Sequence, residues 1–217
     1  MDKKIYLNSF YSASLAVFAP LFIWGNTLSH IPWIFQKLEM NNSTLGYLFM
    51  IFSVVQLVFS QLAGRVIVPN LGSRFSLVIG LIFFSSTPIF FVFSNSINLF
   101  LFAAVPAGIG MGIINTTATA VTSVAENKTN KILQTYYSAF FSMGMLLGGL
   151  CSGLYRYLEF NSYILFFILI LFGLISTLFV FNFGLKKQYD EIEKTEKFKI
   201  PENKLLIYSL YLFLFFA

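Results

Sequence analysis

An all-α membrane protein is the fold class this sequence predicts, and three observations carry the expectation. Six apolar runs, each long enough to cross a bilayer, fill the chain between Phe10 and Phe183; a helix of about 20 residues rises roughly 30 Å, the thickness of the hydrocarbon layer. Charged residues are only 11% of the chain and hydrophobic ones 57%, with a mean hydropathy of +0.77, where a soluble domain carries about 25% charge. Lysine and arginine gather in alternate connecting segments, the distribution that sets orientation in a membrane.

The first span is expected over residues 10–29. Lys3 and Lys4 ahead of it imitate a secretory leader, but the apolar run is too long for a leader's core and no small-residue cleavage site follows, so it is read as a retained helix. Near its end Trp24, Gly25, Asn26 and Thr27 interrupt the apolar pattern. The second and third spans, 44–62 and 75–93, flank the loop QLAGRVIVPNLGSR. The fourth, 99–121, holds Pro106, Gly108, Gly110 and Gly112 and then a polar cluster of Asn115, Thr116, Thr117 and Thr119.

Gly108, Gly112, Asn115, Thr119 and Thr122 recur at steps of three and four, which places them about one helical face. Such a face either approaches another helix closely or borders water. The fifth span, 134–154, carries Tyr136 and Tyr137, Ser138 and Ser142 four apart, and Gly144, Gly148, Gly149 and Gly153. Its serines read as packing or back-bonding groups before they read as solute contacts. The sixth, 163–183, is nearly pure Phe, Leu and Ile apart from Ser176 and Thr177, and lipid contact accounts for it.

A seventh apolar run begins near Leu205 and is cut off at Ala217. The domain reading is therefore a six-helix transmembrane bundle over 1–184, a charged cytoplasmic linker over 185–204, and the start of a truncated seventh helix over 205–217. With the N-terminus inside, twelve of the fourteen Lys and Arg residues fall on the cytoplasmic side, leaving Lys37 and Arg156 outside. The expected location is the cell's inner membrane, multi-pass, with a cytoplasmic N-terminus.

Several functions are excluded. The basic residues form no patch interleaved with aromatics, so the pI near 9.3 does not indicate nucleic acid as a partner. Cys151, inside the fifth span, is the single cysteine, so no intramolecular disulfide or cysteine metal cluster can form; it is expected to be a small core residue. No phosphate loop, metal-ligand cluster or nucleophile with a base is present, and His30 is the lone histidine. Enzyme chemistry and cofactors are not expected.

Asn115 is the residue hardest to assign to packing. An amide in hydrocarbon without a partner costs several kcal/mol, so it should face the bundle interior or a cavity. The interruption at Trp24 to Thr27 opens the first triplet of spans, and that of the fourth span opens the second. Polar, glycine-interrupted segments at corresponding positions in two triplets are the pattern of inverted repeats around a midplane site. No Asp, Glu, Lys or Arg lies well inside a complete span; Glu126 and His30 sit at span ends and are expected to be solvated flanks.

The loop after the second span resembles the cytoplasmic motif of the major facilitator superfamily, matched at Gly64, Gly72 and Arg74. It departs in having no acidic residue in its middle and one extra residue around Val68, Pro69 and Asn70. Three further segments are similar to the superfamily's bacterial inner-membrane sugar and fucose permeases. They match through Gly25, Ile31, Pro32, Leu45 and Gly46, with His30 where an Arg is usual; through Gly108, Gly110, Gly112 and Glu126, with Asn115 and Thr119 where Asp and Asn are common; and through Ser142, Gly144 and Gly148, with Tyr137 where a His is frequent.

The resemblance implies the N-terminal bundle of the major facilitator fold, two inverted three-helix repeats that rock against a second six-helix half around a central site. Trp24, Asn26, Asn115, Thr119 and Tyr137 are the candidates to line that cavity. On this reading the chain belongs to a secondary, alternating-access transporter of a small polar solute such as a sugar. It is either truncated or completed by a separately encoded C-terminal half. The alternative is a non-transporting remnant half, or a helical membrane interaction protein, whose only certain partner is membrane lipid.

Overall fold

The structure, a computed structural model, describes residues 2–189. The expected seventh helix and most of the linker lie outside the described residues. In chain order the helices are α1 (Asp2–Ser29), α2 (Ile31–Leu38), α3 (Asn42–Leu62), α4 (Val68–Leu71), α5 (Ser73–Phe93), α6 (Ile97–Phe102), α7 (Ala104–Thr129), α8 (Gln134–Tyr157) and α9 (Ser162–Phe183). Among the described residues, six stretches are long and apolar enough to cross a membrane: Lys3–Ser29, Asn42–Leu71, Ser73–Phe93, Ile97–Thr129, Gln134–Tyr157 and Ser162–Phe183. The expected spans are all present, and the fourth runs on to Thr129 where its apolar pattern had faded by Val121.

The packing has a two-fold character. α1, which opens the first triplet of spans, lies on α8, the middle of the second; α7, which opens the second, lies on α3, the middle of the first. α5 packs on α7 much as α9 packs on α1, while α5 and α9 meet each other and α1 touches α7. This is the arrangement two inverted three-helix repeats would give. Within the bundle α1 and α7 are the core: 67% and 61% of their apolar windows are buried, against 6% for the second span and 22% for the fifth.

Glycines set the spacing of the two main seams. On the α1/α8 seam, a Cβ on Gly144 would sit 2.7 Å from the Phe18 carbonyl oxygen, and one on Gly148 would collide with the Phe22 carbonyl. On the α3/α7 seam, Cβ atoms on Gly108 and Gly112 would lie 2.8 and 2.6 Å from the Phe52 and Gln56 carbonyl oxygens. In lipid there is no hydrophobic drive between helices, so backbone-to-backbone approach of this kind supplies the dispersion contact that holds them. The sixth span follows suit on one face: Gly173 meets Ser85 of α5, and Ser176 and Thr177 donate to the Phe172 and Gly173 carbonyls, each at 2.8 Å.

The second span does not end at Leu62. A π turn at Ala63–Ile67 carries the helix into α4, and a π turn is the local consequence of one added residue in a helix. Gly72 then takes φ +82° to turn the chain into α5, a conformation that favours glycine.

Arg74 donates to the Asn182 carbonyl at 2.6 Å, placing a cation against the C-terminal end of α9, where the helix dipole favours it. Lys187 donates to the Asn70 carbonyl at 2.7 Å. The α3–α5 turn, the N-terminal turn of α1 and residues 182–189 thus share one end of the molecule. Lys37 and Arg156 cap the other end, donating to the Val92 and Ser29 carbonyls at 2.9 and 3.1 Å. The two-sided distribution of charge seen in the sequence is a feature of the fold.

Three residues differ from expectation. Glu126 is a cap, its Oε2 accepting from the backbone N–H of Leu133 and Gln134 at 2.9 and 2.8 Å, and so covering orphan donors at the start of α8. His30 is fully buried, because α2 folds back over it instead of leaving it to water. Cys151 is exposed on α8, since that helix presents only one face to α1.

Candidate solute cavity

α7 builds the site. The helix breaks at Ala103 between α6 and α7, and Pro106 sits in the first turn of α7, where its missing N–H breaks no helical bond. Gly108 and Gly112 then bring α7 against α3, and the seam is pinned by Ser60 Oγ donating to the Gly112 carbonyl and Thr116 Oγ1 to the Ser60 carbonyl, at 3.3 and 3.4 Å. One turn past Gly112, Asn115 turns off the seam into a cavity of about 180 Å³.

The cavity has an aromatic wall and an amide edge. Trp24 of α1 stacks on Phe52 of α3 with ring centres 5.0 Å apart and planes 17° from parallel, and meets Phe84 of α5 edge-on at 6.1 Å. Phe141 of α8, Leu21 and Met111 complete the apolar lining. Gln56 and Asn115 are its two amides. Asn115 Oδ1 is buried without a hydrogen-bond partner, the state of an acceptor that a ligand or water would satisfy. Among the described residues no carboxylate or cation lines this cavity.

Of the five candidate cavity residues, the structure brings together Trp24 and Asn115. Asn26 is buried on the α8 side instead: its Nδ2 donates to the Phe22 carbonyl at 2.9 Å, and its own carbonyl accepts from Ser152 Oγ at 3.2 Å. Thr119 and Tyr137 pair with each other at the first turn of α8, Thr119 exposed and Tyr137 buried, and neither lines the cavity. Thr119 lies one turn beyond Asn115 on α7. Ser138 and Ser142 donate to the carbonyls of Gln134 and Ser138 at 3.1 and 3.2 Å, the back-bonding expected of them. Gly64, Gly72 and Arg74 lie at the basic end, away from the cavity.

Sequence reasoning missed Gln56 and the aromatic wall. Gln56 had a usable signal, an amide near the middle of an apolar span. Phe52, Phe84 and Phe141 had none, for they are three of 28 phenylalanines and only packing separates cavity from lipid.

A sequence model described as Major Facilitator Superfamily matches residues 13–217, nearly the whole chain. The chain belongs to the major facilitator superfamily. The superfamily is one of transmembrane transporters, not enzymes, and the six apolar helices among the described residues make this chain an integral, multi-pass membrane protein. It is similar to Multidrug resistance protein 1 of Bacillus subtilis (strain 168), 27% identical over 184 residues that cover 82% of this chain and 45% of that protein. It is also similar to Multidrug resistance protein 2 of the same organism, 28% identical over 125 residues, 57% of this chain and 31% of that protein. The chain thus matches less than half the length of these superfamily relatives, and their names do not carry the finer likeness to sugar permeases.

Proposed function

We propose that this bundle is the first half of an alternating-access secondary transporter, and that its solute has a flat apolar or aromatic body with one or two hydrogen-bonding groups. The cavity carries this reading: four aromatic side chains and only two amides face it. A sugar would bring many hydroxyls to a wall with few partners, and each buried unpaired group costs about 1–3 kcal/mol. The relatives' printed role in multidrug resistance agrees with an apolar solute, and more than half of their length beyond the matched segment leaves room for a second bundle.

Asn115→Leu tests the reading in a protein that carries both halves. Leu is better solvated by lipid than an amide, so membrane abundance should hold while solute flux is lost. Asn115→Asp should make flux depend on proton concentration. Normal flux in the Leu variant would reduce Asn115 to packing, whereas no flux in the parent itself would favour the non-transporting alternative.

The bundle is read as lying in the cell's inner membrane with its N-terminus and basic end cytoplasmic, in keeping with the positive-inside rule. With Cys151 replaced by Ser, a cysteine at Gln188 should react with an impermeant thiol reagent only from the cytoplasm, and one at Asn42 only from outside. The reverse pattern would invert the bundle.

A further inference from the structure

A second cavity, of about 200 Å³, opens at the basic end between the first turns of α1 and the end of α9. Asn8, Asn182, Lys186 and Tyr189 give it a polar side, and Ile5 and Phe183 an apolar one. Among the described residues no carboxylate lines it. Its volume equals the share of roughly six waters, enough for a phosphate with its glycerol.

The polar groups are donors with capacity to spare. Lys187 is spent on the Asn70 carbonyl, whereas its neighbour Lys186 is exposed and lines the cavity. Asn182 uses one N–H on the Leu178 carbonyl at 2.9 Å, which leaves its second for a ligand. Arg74 stands at the rim: its guanidinium bonds the Asn182 carbonyl, and its Cγ lies 3.1 Å from the position of a Cβ on Gly184. Lys4, one turn before Asn8, is exposed on the same end of α1.

We infer that this cavity holds the phosphodiester headgroup of an anionic phospholipid. Basic pockets between helices at a membrane surface suit such headgroups. The apolar side distinguishes a lipid from a free phosphate ion: Phe183, 48% exposed, and Ile5 offer a path for the start of an acyl chain where an inorganic ion would gain nothing. The inference does not depend on the transport reading, since it concerns the opposite surface of α1 and a different set of residues.

The test is lipid titration of the full chain, purified in neutral detergent and followed by native mass spectrometry. Dioctanoyl phosphatidylglycerol should bind in preference to dioctanoyl phosphatidylcholine, and Lys186→Gln should weaken it about fivefold. Lys131→Gln, which removes an exposed lysine that does not line the cavity, should leave binding unchanged. Lys186 is exposed, so its variant should melt like the parent in the absence of lipid, which separates lost binding from lost fold. Equal loss in the Lys131 variant would reduce the effect to diffuse charge and overturn the site. Equal binding of phosphatidylcholine, or inorganic phosphate binding as tightly as phosphatidylglycerol, would overturn the lipid assignment.

Discussion

Gly148→Ala should all but abolish the folded bundle, while Gly153→Ala, little more than one turn further along the same helix, should leave it intact. A Cβ on Gly148 runs into the Phe22 carbonyl and lies 3.0 Å from its carbon and 3.1 Å from its Cα, all of them backbone; one on Gly153 meets nothing within 4 Å. No rotamer change relieves a clash with backbone, so α1 and α8 must move apart along a seam that buries Asn26 and His30. Overpacking of this kind costs about 1–3 kcal/mol, and the loss of seam contacts on either side adds to it. At Gly153 the same substitution gains helix propensity of about 0.5–1 kcal/mol. Thermal melts and membrane yield of the two variants check the contrast, and similar behaviour of both would mean that the seam is not closed as described.

Acid should destabilise the bundle through His30, and His30→Gln should flatten that response. The imidazole is fully buried just past the end of the first span, with Ser152 Oγ 2.6 Å from Nδ1, the Asn26 carbonyl at 3.1 Å, and Phe166 edge-on at 5.6 Å. Nδ1–H donating to Ser152 Oγ, and that hydroxyl donating to the Asn26 carbonyl at 3.2 Å, satisfies all three groups and leaves Nε2 buried without a partner. Burial holds the pKa below its ordinary 6.5; the Asn26 backbone bond opposes this and the charge of Arg156 adds to it.

The sign follows from linkage. Above pH 6.5 the ring is neutral in both folded and unfolded chains and the site contributes fully; as pH falls below that value the unfolded chain takes up a proton that the folded one resists, and stability is lost. The melting temperature of the parent should therefore drop more between about pH 7.5 and pH 5.5 than that of His30→Gln. Parallel slopes would show that His30 is not the group responsible. The comparison rests on slopes, so a uniform loss of stability in the variant does not confuse it.

Spans were legible in this sequence because their signal is additive: twenty apolar residues in a row mean one thing in a membrane, and the six helices lie where the runs do. The inward placement of Asn115 was legible for a related reason, since an amide deep in hydrocarbon must have somewhere to point. Asn26 looked equivalent on the same grounds and went elsewhere. A helix turns 100° per residue, and nothing local says that Trp24 faces the cavity while Asn26, two residues on, faces α8. His30 and Cys151 exchanged their expected places because burial is decided by neighbours distant in the chain: α2 folds over the first, and α8 turns the second away from α1. The aromatic wall was beyond reach, because a phenylalanine against lipid and one against a cavity have the same sequence context.

The two glycine seams also govern what the bundle can do as a mechanical object. Each triplet's leading helix is locked into the middle helix of the other triplet, so neither group of three can slide or splay without tearing backbone contacts in both seams at once. Side-chain interfaces tolerate small slips by trading rotamers; carbonyl against glycine Cα offers no such freedom. The six helices should therefore behave as one stiff body on the timescale of solute passage, and any change in which face of the membrane the cavity meets must be a tilt of the entire block.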